Sequence, residues 1–360
     1  MDGIGWFASE SLRCMVTDHP DDDFVFFFDR RPSPVFQYGD NVRCVTLYPP
    51  ARHPVLWFLF FEWSLRRAMR RYKVDVLLSP DGFIPLQHRV PSLTVIHDLN
   101  FEHAKGNLKP SHQWFMSHFF PRYARCATRV ATVSEYSRRD IADTYRIPVS
   151  KIDVVYDGAH ADYRPQSESE KRQTRERFTS GVRYVIFVST IIKRKNLASL
   201  LTAFDRVREC HDLRLVVVGS RVWWQDELCD AYDRMRHASD VVFLGHVDTA
   251  TLAQLVSAAE ALVYPSFFEG FGIPVLEAFH AETAVIASNT TSLPEVAGDA
   301  ALLVDPHSVE AIAEAMEQLL QSPALRDELI ERGRRQRERF SWQRTSELLW
   351  QSVQKTIAQQ

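Results

Sequence analysis

At 360 residues the chain has room for about two domains of ordinary size. Forty-three basic against 46 acidic side chains leave it near neutral, so no global charge argues for a nucleic-acid partner. The five cysteines (Cys14, Cys44, Cys126, Cys210, Cys229) are scattered and form no Cys-x-x-Cys pair, which suits reduced thiols in a cytoplasm. No apolar run approaches the ~20 residues of a membrane-spanning helix, and the polar, acidic start is unlike a signal peptide.

In chain order, strands are expected at Phe24–Phe28, Arg43–Leu47, Val74–Ser79, Leu93–His97 and Arg129–Val133. Helical stretches such as Pro54–Tyr72 and Ser111–Cys126 separate them. Asp21-Asp22-Asp23 is the only acidic run of D-x-D type, but it precedes a strand in the context of a solvated turn. No His or Cys cluster has metal-ligand spacing either, so no metal is expected. Pro54–Tyr72 mixes tryptophans and phenylalanines with Arg66, Arg67, Arg70 and Arg71. That composition suits a domain helix that buries its apolar face with its arginines in solvent, and also peripheral contact with an anionic membrane.

Ile152–Tyr156 leads to a polar connector, Arg164–Thr179, after which the alternation restarts. Strands are expected at Tyr184–Ser189, Leu213–Gly219, Val241–Leu244, Ala261–Tyr264, Ala284–Ala287 and Ala301–Val304. The tail after Phe340 reads as an amphipathic helix, and the basic run Arg332–Arg339 as a solvated helix face. Two rounds of βαβα order imply an α/β protein with two doubly wound parallel sheets, in domains 1–163 and 176–340. Two such domains facing each other form a cleft at the carboxyl ends of their strands, where ligands bind.

The segment PSFFEGFGIPVLEA, Pro265–Ala278, is the most informative. It follows a buried strand, turns on Gly270 and Gly272, and opens a helix at Pro274, where a missing N–H costs nothing. The N–H groups of Gly270, Phe271 and Gly272 can then face the oxygens of a diphosphate. Glu277 falls one turn into the helix, within reach of a sugar hydroxyl. The same residues also suit a plain turn, with Glu277 complementing the helix dipole.

Glu269 and Glu277 match the E-x7-E signature, and their surroundings match PSxxEGFGxPxLEA. With Ser288-Asn289, Leu293-Pro294-Glu295-Val296 and Gly298-Asp299-Ala300-Ala301, nearly the whole carboxy-terminal half resembles the retaining nucleotide-sugar glycosyltransferases of family 4. The resemblance implies the GT-B fold, two Rossmann-like domains facing a cleft. Helix 341–360 would cross back onto the first domain.

At Val188–Leu197, Ser189 and Thr190 end a strand, and Arg194, Lys195 and Asn196 open a helix. Fixed cations there would stabilise a departing nucleoside diphosphate without a metal. Taken alone, the three residues are an ordinary basic helix start. The family often carries Gly, and sometimes Arg, where Ser189 and Thr190 stand. His97 ends a strand of the first domain, and its matching family position implies contact with the transferred sugar. Ser134–Ser137 resembles the family's VSxxS step and also reads as a helix N-cap. Asp157-Gly158 stands where the family commonly has Asn-Gly.

In the family a first strand runs into a glycine loop. Met1–Phe7, with Gly3 and Gly5, looks like that loop on the acceptor side, so the first strand is expected upstream of Met1.

The resemblance implies a cytoplasmic, metal-independent retaining transferase with no cofactor. Its donor would be GDP-mannose or another nucleoside-diphosphate sugar. Glu277 would hold the ribose, Lys195 and Arg194 the diphosphate, and Gly270–Gly272 the sugar, with Glu269 near the hexose. The acceptor would be a glycan or a lipid-linked glycan of surface polysaccharide assembly. The alternatives are a nucleotide-sugar epimerase of the same architecture and a catalytically silent nucleotide-sugar-binding protein.

Overall fold

The computed structural model describes residues 3–51, 53–103, 109–222 and 224–359. They divide into two units, Met1–Gly158 with Ser341–Gln360, and Ala159–Phe340. Each expected strand forms within a few residues of its expected ends.

In the first unit β1 (Phe24–Phe28) and β2 (Val42–Thr46) make a parallel pair. A separate parallel sheet runs β3 (Leu77–Ser79), β4 (Ser92–Val95), β5 (Arg129–Thr132) and β6 (Ile152–Val154), in that spatial order. β4 and β5 are buried along their whole length, which is why they read as apolar runs without alternation. Helix Trp342–Ile357 completes the unit. Ser341 caps its first turn, Lys355 pairs with Asp153 at 2.9 Å, and Trp350 stacks on His19 at 3.9 Å. A Cβ at Gly158 would sit 2.5 Å from the Trp342 nitrogen, so only glycine lets the two segments pass.

Gly3 and Gly5 correct the expectation. Helix Gly3–Asp18 begins at Gly3, so neither glycine lies in a loop. Phe7, Ser11 and Met15 are buried at four-residue spacing, and the packing of this helical face overrides the low helix propensity of the glycines. Met1 and Asp2 lie outside the described residues.

The second unit holds one six-stranded parallel sheet, in the order β12-β11-β10-β7-β8-β9. The strands are β7 (Tyr184–Val188), β8 (Arg214–Val218), β9 (Val241–Gly245), β10 (Ala261–Tyr264), β11 (Ala284–Ser288) and β12 (Leu302–Val304). On one face Phe187, Leu200, Phe204, Leu215, Ile312 and Met316 make a continuous core with helices Leu197–Arg208 and Val309–Gln321. The expected connector is largely a helix of this unit, Glu168–Thr179. Its start is fixed by a capping box: Ser167 accepts from the Glu170 N–H while the Glu170 carboxylate accepts from the Ser167 N–H. Composition alone hid that signal, because the helix has only two buried residues.

β7 and β10 are neighbours although three crossovers separate them in sequence. The winding direction reverses between them. Loops leaving their carboxyl ends part there, which makes the gap a ligand site by topology.

Candidate active site

Both motifs singled out in the sequence leave the sheet at this reversal, Ser189–Asn196 from β7 and Pro265–Gly272 from β10. Ser189 extends the β7 ladder by donating to the Val218 carbonyl at 3.0 Å. A Cβ at Gly219 would fall 1.8 Å from the Ser189 oxygen, so β8 can exit here only through glycine. Thr190 is exposed at the rim. Lys193–Lys195 form a tight turn that Asn196 ends in the left-handed region, at φ 59°. The Asn196 amide donates to the carbonyls of Pro265 at 3.0 Å and Pro306 at 2.7 Å. The Phe267 N–H donates to the Arg194 carbonyl at 2.9 Å. These bonds join the two loops.

The charged residues meet at their centre. Glu269 accepts from Lys195 Nζ at 2.6 Å and from Arg194 Nη1 at 3.1 Å. Lys195 also donates to the Tyr264 hydroxyl at 2.7 Å and lies 5.1 Å from that ring's centroid. Arg194 is fixed further by the Phe268 carbonyl, at 2.7 Å. Lys195 and Glu269 are buried, at 8% and 6% exposure. Burial opposes the charge on Glu269, but the two cations outweigh it and hold the carboxyl at about 2. The three side chains keep one net positive charge, in a place where a fixed charge acts strongly. The sequence reading separated Glu269 from the cations; the structure brings all three together. Tyr264 was missed, since a strand-end tyrosine carries no local mark of its lysine partner.

The turn beyond Glu269 is held by hydroxyls. Ser292 donates to the Glu269 and Phe271 carbonyls, both at 2.9 Å, and Thr291 accepts from the Glu269 N–H at 3.1 Å. Thr290 and Ser288 donate to the Phe267 and Ser266 carbonyls. Gly272 sits at φ 111°, where a Cβ would meet Leu293 at 2.5 Å. The Phe271 ring is buried against Phe340, so Phe271 presents backbone to the site, not its side chain. Glu277 follows within helix Ile273–His280. Burial pushes its carboxyl up to about 7, moderated by a hydrogen bond from Tyr163. The Tyr163 phenol is itself pushed up by burial and by Glu277, and so stays a donor. Tyr163 lies far from Glu277 in sequence and was also missed.

His97 lies in the first unit, just past β4. Its Nε2 is 2.9 Å from the Pro80 carbonyl, and its ring meets Phe7 edge-on at 4.8 Å. Ser134 caps helix Glu135–Tyr145, as expected. Asp21, Asp22 and Asp23 are exposed in the turn before β1. A cavity of about 490 Å³ opens beside the Lys193–Lys195 turn, lined by residues of helices Leu197–Arg208 and Glu227–Asp233. It shares Ile192, Lys193, Asn196 and Phe267 with the loops but its lining includes none of Arg194, Lys195, Glu269 and Glu277.

The family model for glycosyl transferases group 1 matches residues 168–336, and that for glycosyltransferase family 4 matches residues 19–163. The O-antigen chain mannosyltransferase B of Escherichia coli is 32% identical over 285 residues, 77% of this chain and 73% of that protein. The chain belongs to glycosyltransferase family 4. This family 4 glycosyltransferase is also 28% identical, over 273 residues, to the O-antigen chain mannosyltransferase RfbU of Salmonella typhimurium. That match covers 75% of this chain and 72% of RfbU. Its fold is that of WaaG, a glycosyltransferase involved in lipopolysaccharide biosynthesis, at TM-score 0.73 and 15% identity over 96% of this chain and 95% of WaaG. Anabaena HepE, solved with UDP and glucose, aligns at TM-score 0.74 and 16% identity over 97% of this chain and 96% of HepE. Both support two Rossmann-like domains of GT-B type for this glycosyltransferase.

Proposed function

We propose that this glycosyltransferase moves mannose from GDP-mannose, with retention, to a glycan or lipid-linked acceptor in surface polysaccharide assembly. It would act in the cytoplasm, peripherally at the membrane that bears the lipid. The observation that carries the reading is the buried Lys195–Glu269–Arg194 cluster at the winding reversal of the second unit. Similarity to the two O-antigen mannosyltransferases supports mannose over other hexoses.

As the bond from the sugar C1 to the diphosphate oxygen breaks, negative charge grows on the diphosphate. Lys195 and Arg194 are already oriented by Glu269, Tyr264 and the Phe268 carbonyl, so they stabilise that charge with little reorganisation. The acceptor hydroxyl attacks C1 from the face the phosphate leaves, and the departing phosphate oxygen takes its proton. Glu277, ionised, accepts from the ribose hydroxyls. Ser189, Thr190 and the Gly270–Gly272 backbone line the donor, and His97 acts on the transferred sugar. No metal is required.

A screen of nucleotide sugars for thermal stabilisation tests the donor, because a bound ligand raises the melting temperature by mass action. GDP-mannose should stabilise most, and turnover should survive EDTA. Product analysis with donor alone separates transfer from epimerisation: an epimerised sugar without acceptor would overturn the reading. Strict dependence on Mg²⁺ or Mn²⁺ would overturn the role of Lys195.

A further inference from the structure

Pro54–Arg71 is one continuous helical run in three pieces, with a π-helical segment, Phe60–Leu65, between α-helices Pro54–Leu59 and Arg66–Arg71. In an α-helix each fourth residue advances by about 40° around the axis. The wider π turn offsets that drift. Val55, Leu59, Trp63, Arg67 and Arg71 therefore share one side, and all five are exposed. Trp57, Phe60, Leu65, Ala68 and Met69 face inward instead. What composition shows as a mixture is sorted along one face, apolar in its first half and basic in its second.

A neighbouring helix, Pro110–Cys126, widens the surface. Phe58 lies 6.0 Å from Phe119, which lies 6.5 Å from Trp114, and Arg122 stands over the Phe119 ring. Trp63 and Trp114 are 66% and 62% exposed. Acidic side chains are almost missing: Pro110–Cys126 has none, and Pro54–Arg71 has only Glu62. Glu62 turns inward to accept from the Leu86 N–H at 2.5 Å.

We infer that this face of the first unit docks on an anionic lipid surface, with Phe58, Leu59, Trp63 and Trp114 entering the headgroup layer and Arg67, Arg70, Arg71 and Arg122 pairing with lipid phosphates. The charge is complementary to such a surface, and the exposed aromatic rings suit its interface. The inference deepens the lipid-linked acceptor proposed above and rests on that reading only for its purpose.

The test uses the full chain, without nucleotide sugar, and sedimentation with vesicles of phosphatidylcholine alone or mixed with phosphatidylglycerol. Binding is expected only with phosphatidylglycerol, with a blue shift in tryptophan emission. Phe58→Ser with Trp63→Ser should weaken partitioning about tenfold or more. Arg67→Gln and Arg71→Gln should each weaken it roughly fivefold. Equal binding to both vesicles, equal binding by the variants, or no binding would overturn the inference. So would a dimer in solution that the serine variant dissociates, since a second copy would then cover the face. Thermal stabilisation by GDP-mannose, measured on the same preparations, keeps failure of this surface distinct from failure of the donor reading.

Discussion

The two units solve opposite problems with the same parallel-sheet chemistry. The second holds an unbroken six-stranded sheet and sinks two cations and a carboxylate into the gap where its winding reverses. The first divides its strands between two sheets and sets Phe58, Trp63, Trp114 and several arginines on an exposed helical face. A departing diphosphate needs charge that is fixed before the reaction, and fixing charge takes burial and partners. A surface that meets something extended and fluid needs exposure instead. The buried arrangement leaves a spaced motif in the sequence; the exposed one leaves only composition.

The sharpest way to break this contrast is Lys195→Ala. If the second unit holds preformed positive charge, the variant should lose about 2.7–4 kcal/mol of transition-state stabilisation, by analogy with a deleted oxyanion donor. kcat should fall while the donor KM changes less. A near-normal kcat would mean the cluster is only structural.

Acid sharpens it next. The Glu269 carboxyl is held at about 2, below its usual 4.5. Its contribution to stability is therefore complete above pH 4.5 and is lost as pH falls from 4.5 towards 2. The loss is on the order of 3 kcal/mol. Acid unfolding should be shallower across that window in Glu269→Gln, and equal slopes in the two proteins would deny the coupling.

Glu277 runs the other way. Burial raises it to about 7, so the stability tied to its proton is present below pH 4.5 and is lost as pH rises through 7. If Glu277 holds the ribose as proposed, donor binding needs its ionised form. The donor KM should therefore climb roughly tenfold per pH unit below 7, and Glu277→Gln should raise KM at neutral pH and flatten the profile. Each charge-assisted bond lost would be worth about 1.5–3 kcal/mol. A pH-independent KM in the parent enzyme would remove Glu277 from the ribose.

The smallest effect belongs to the hydroxyl clasp. Thr291→Val removes the acceptor for the Glu269 N–H and should cost about 1 kcal/mol, seen as a lower kcat at little-changed KM. Thr291→Ser should restore it. A drop in melting temperature alone, with normal kcat, would make the clasp purely structural.

Strands were legible because each is a short local run bounded by turns, and the exits of β7 and β10 stood out because they carry Arg194 and Lys195 and the two glutamates. The clasp was not legible as such. Ser288 stood out as part of a motif and Thr290 follows it, but nothing in either announces a hydrogen bond to a carbonyl more than twenty residues away. Tyr163 and Tyr264 escaped for the same reason, as partners joined only by folding. Gly3 and Gly5 misled because they matched the family's glycine loop, while the buried spacing of Phe7, Ser11 and Met15 decides for helix.

Asn196 sets a trap for anyone reading variant libraries. Its left-handed backbone favours asparagine or glycine, and its amide is committed to two carbonyl oxygens in a slot with 4% exposure. Aspartate would set a carboxylate against both oxygens, and glycine would leave them without a donor. In a population of random variants filtered for turnover, this position should tolerate almost no replacement. That intolerance would look like the signature of a ligand contact, yet it would come from a side chain occupied in tying one loop to another.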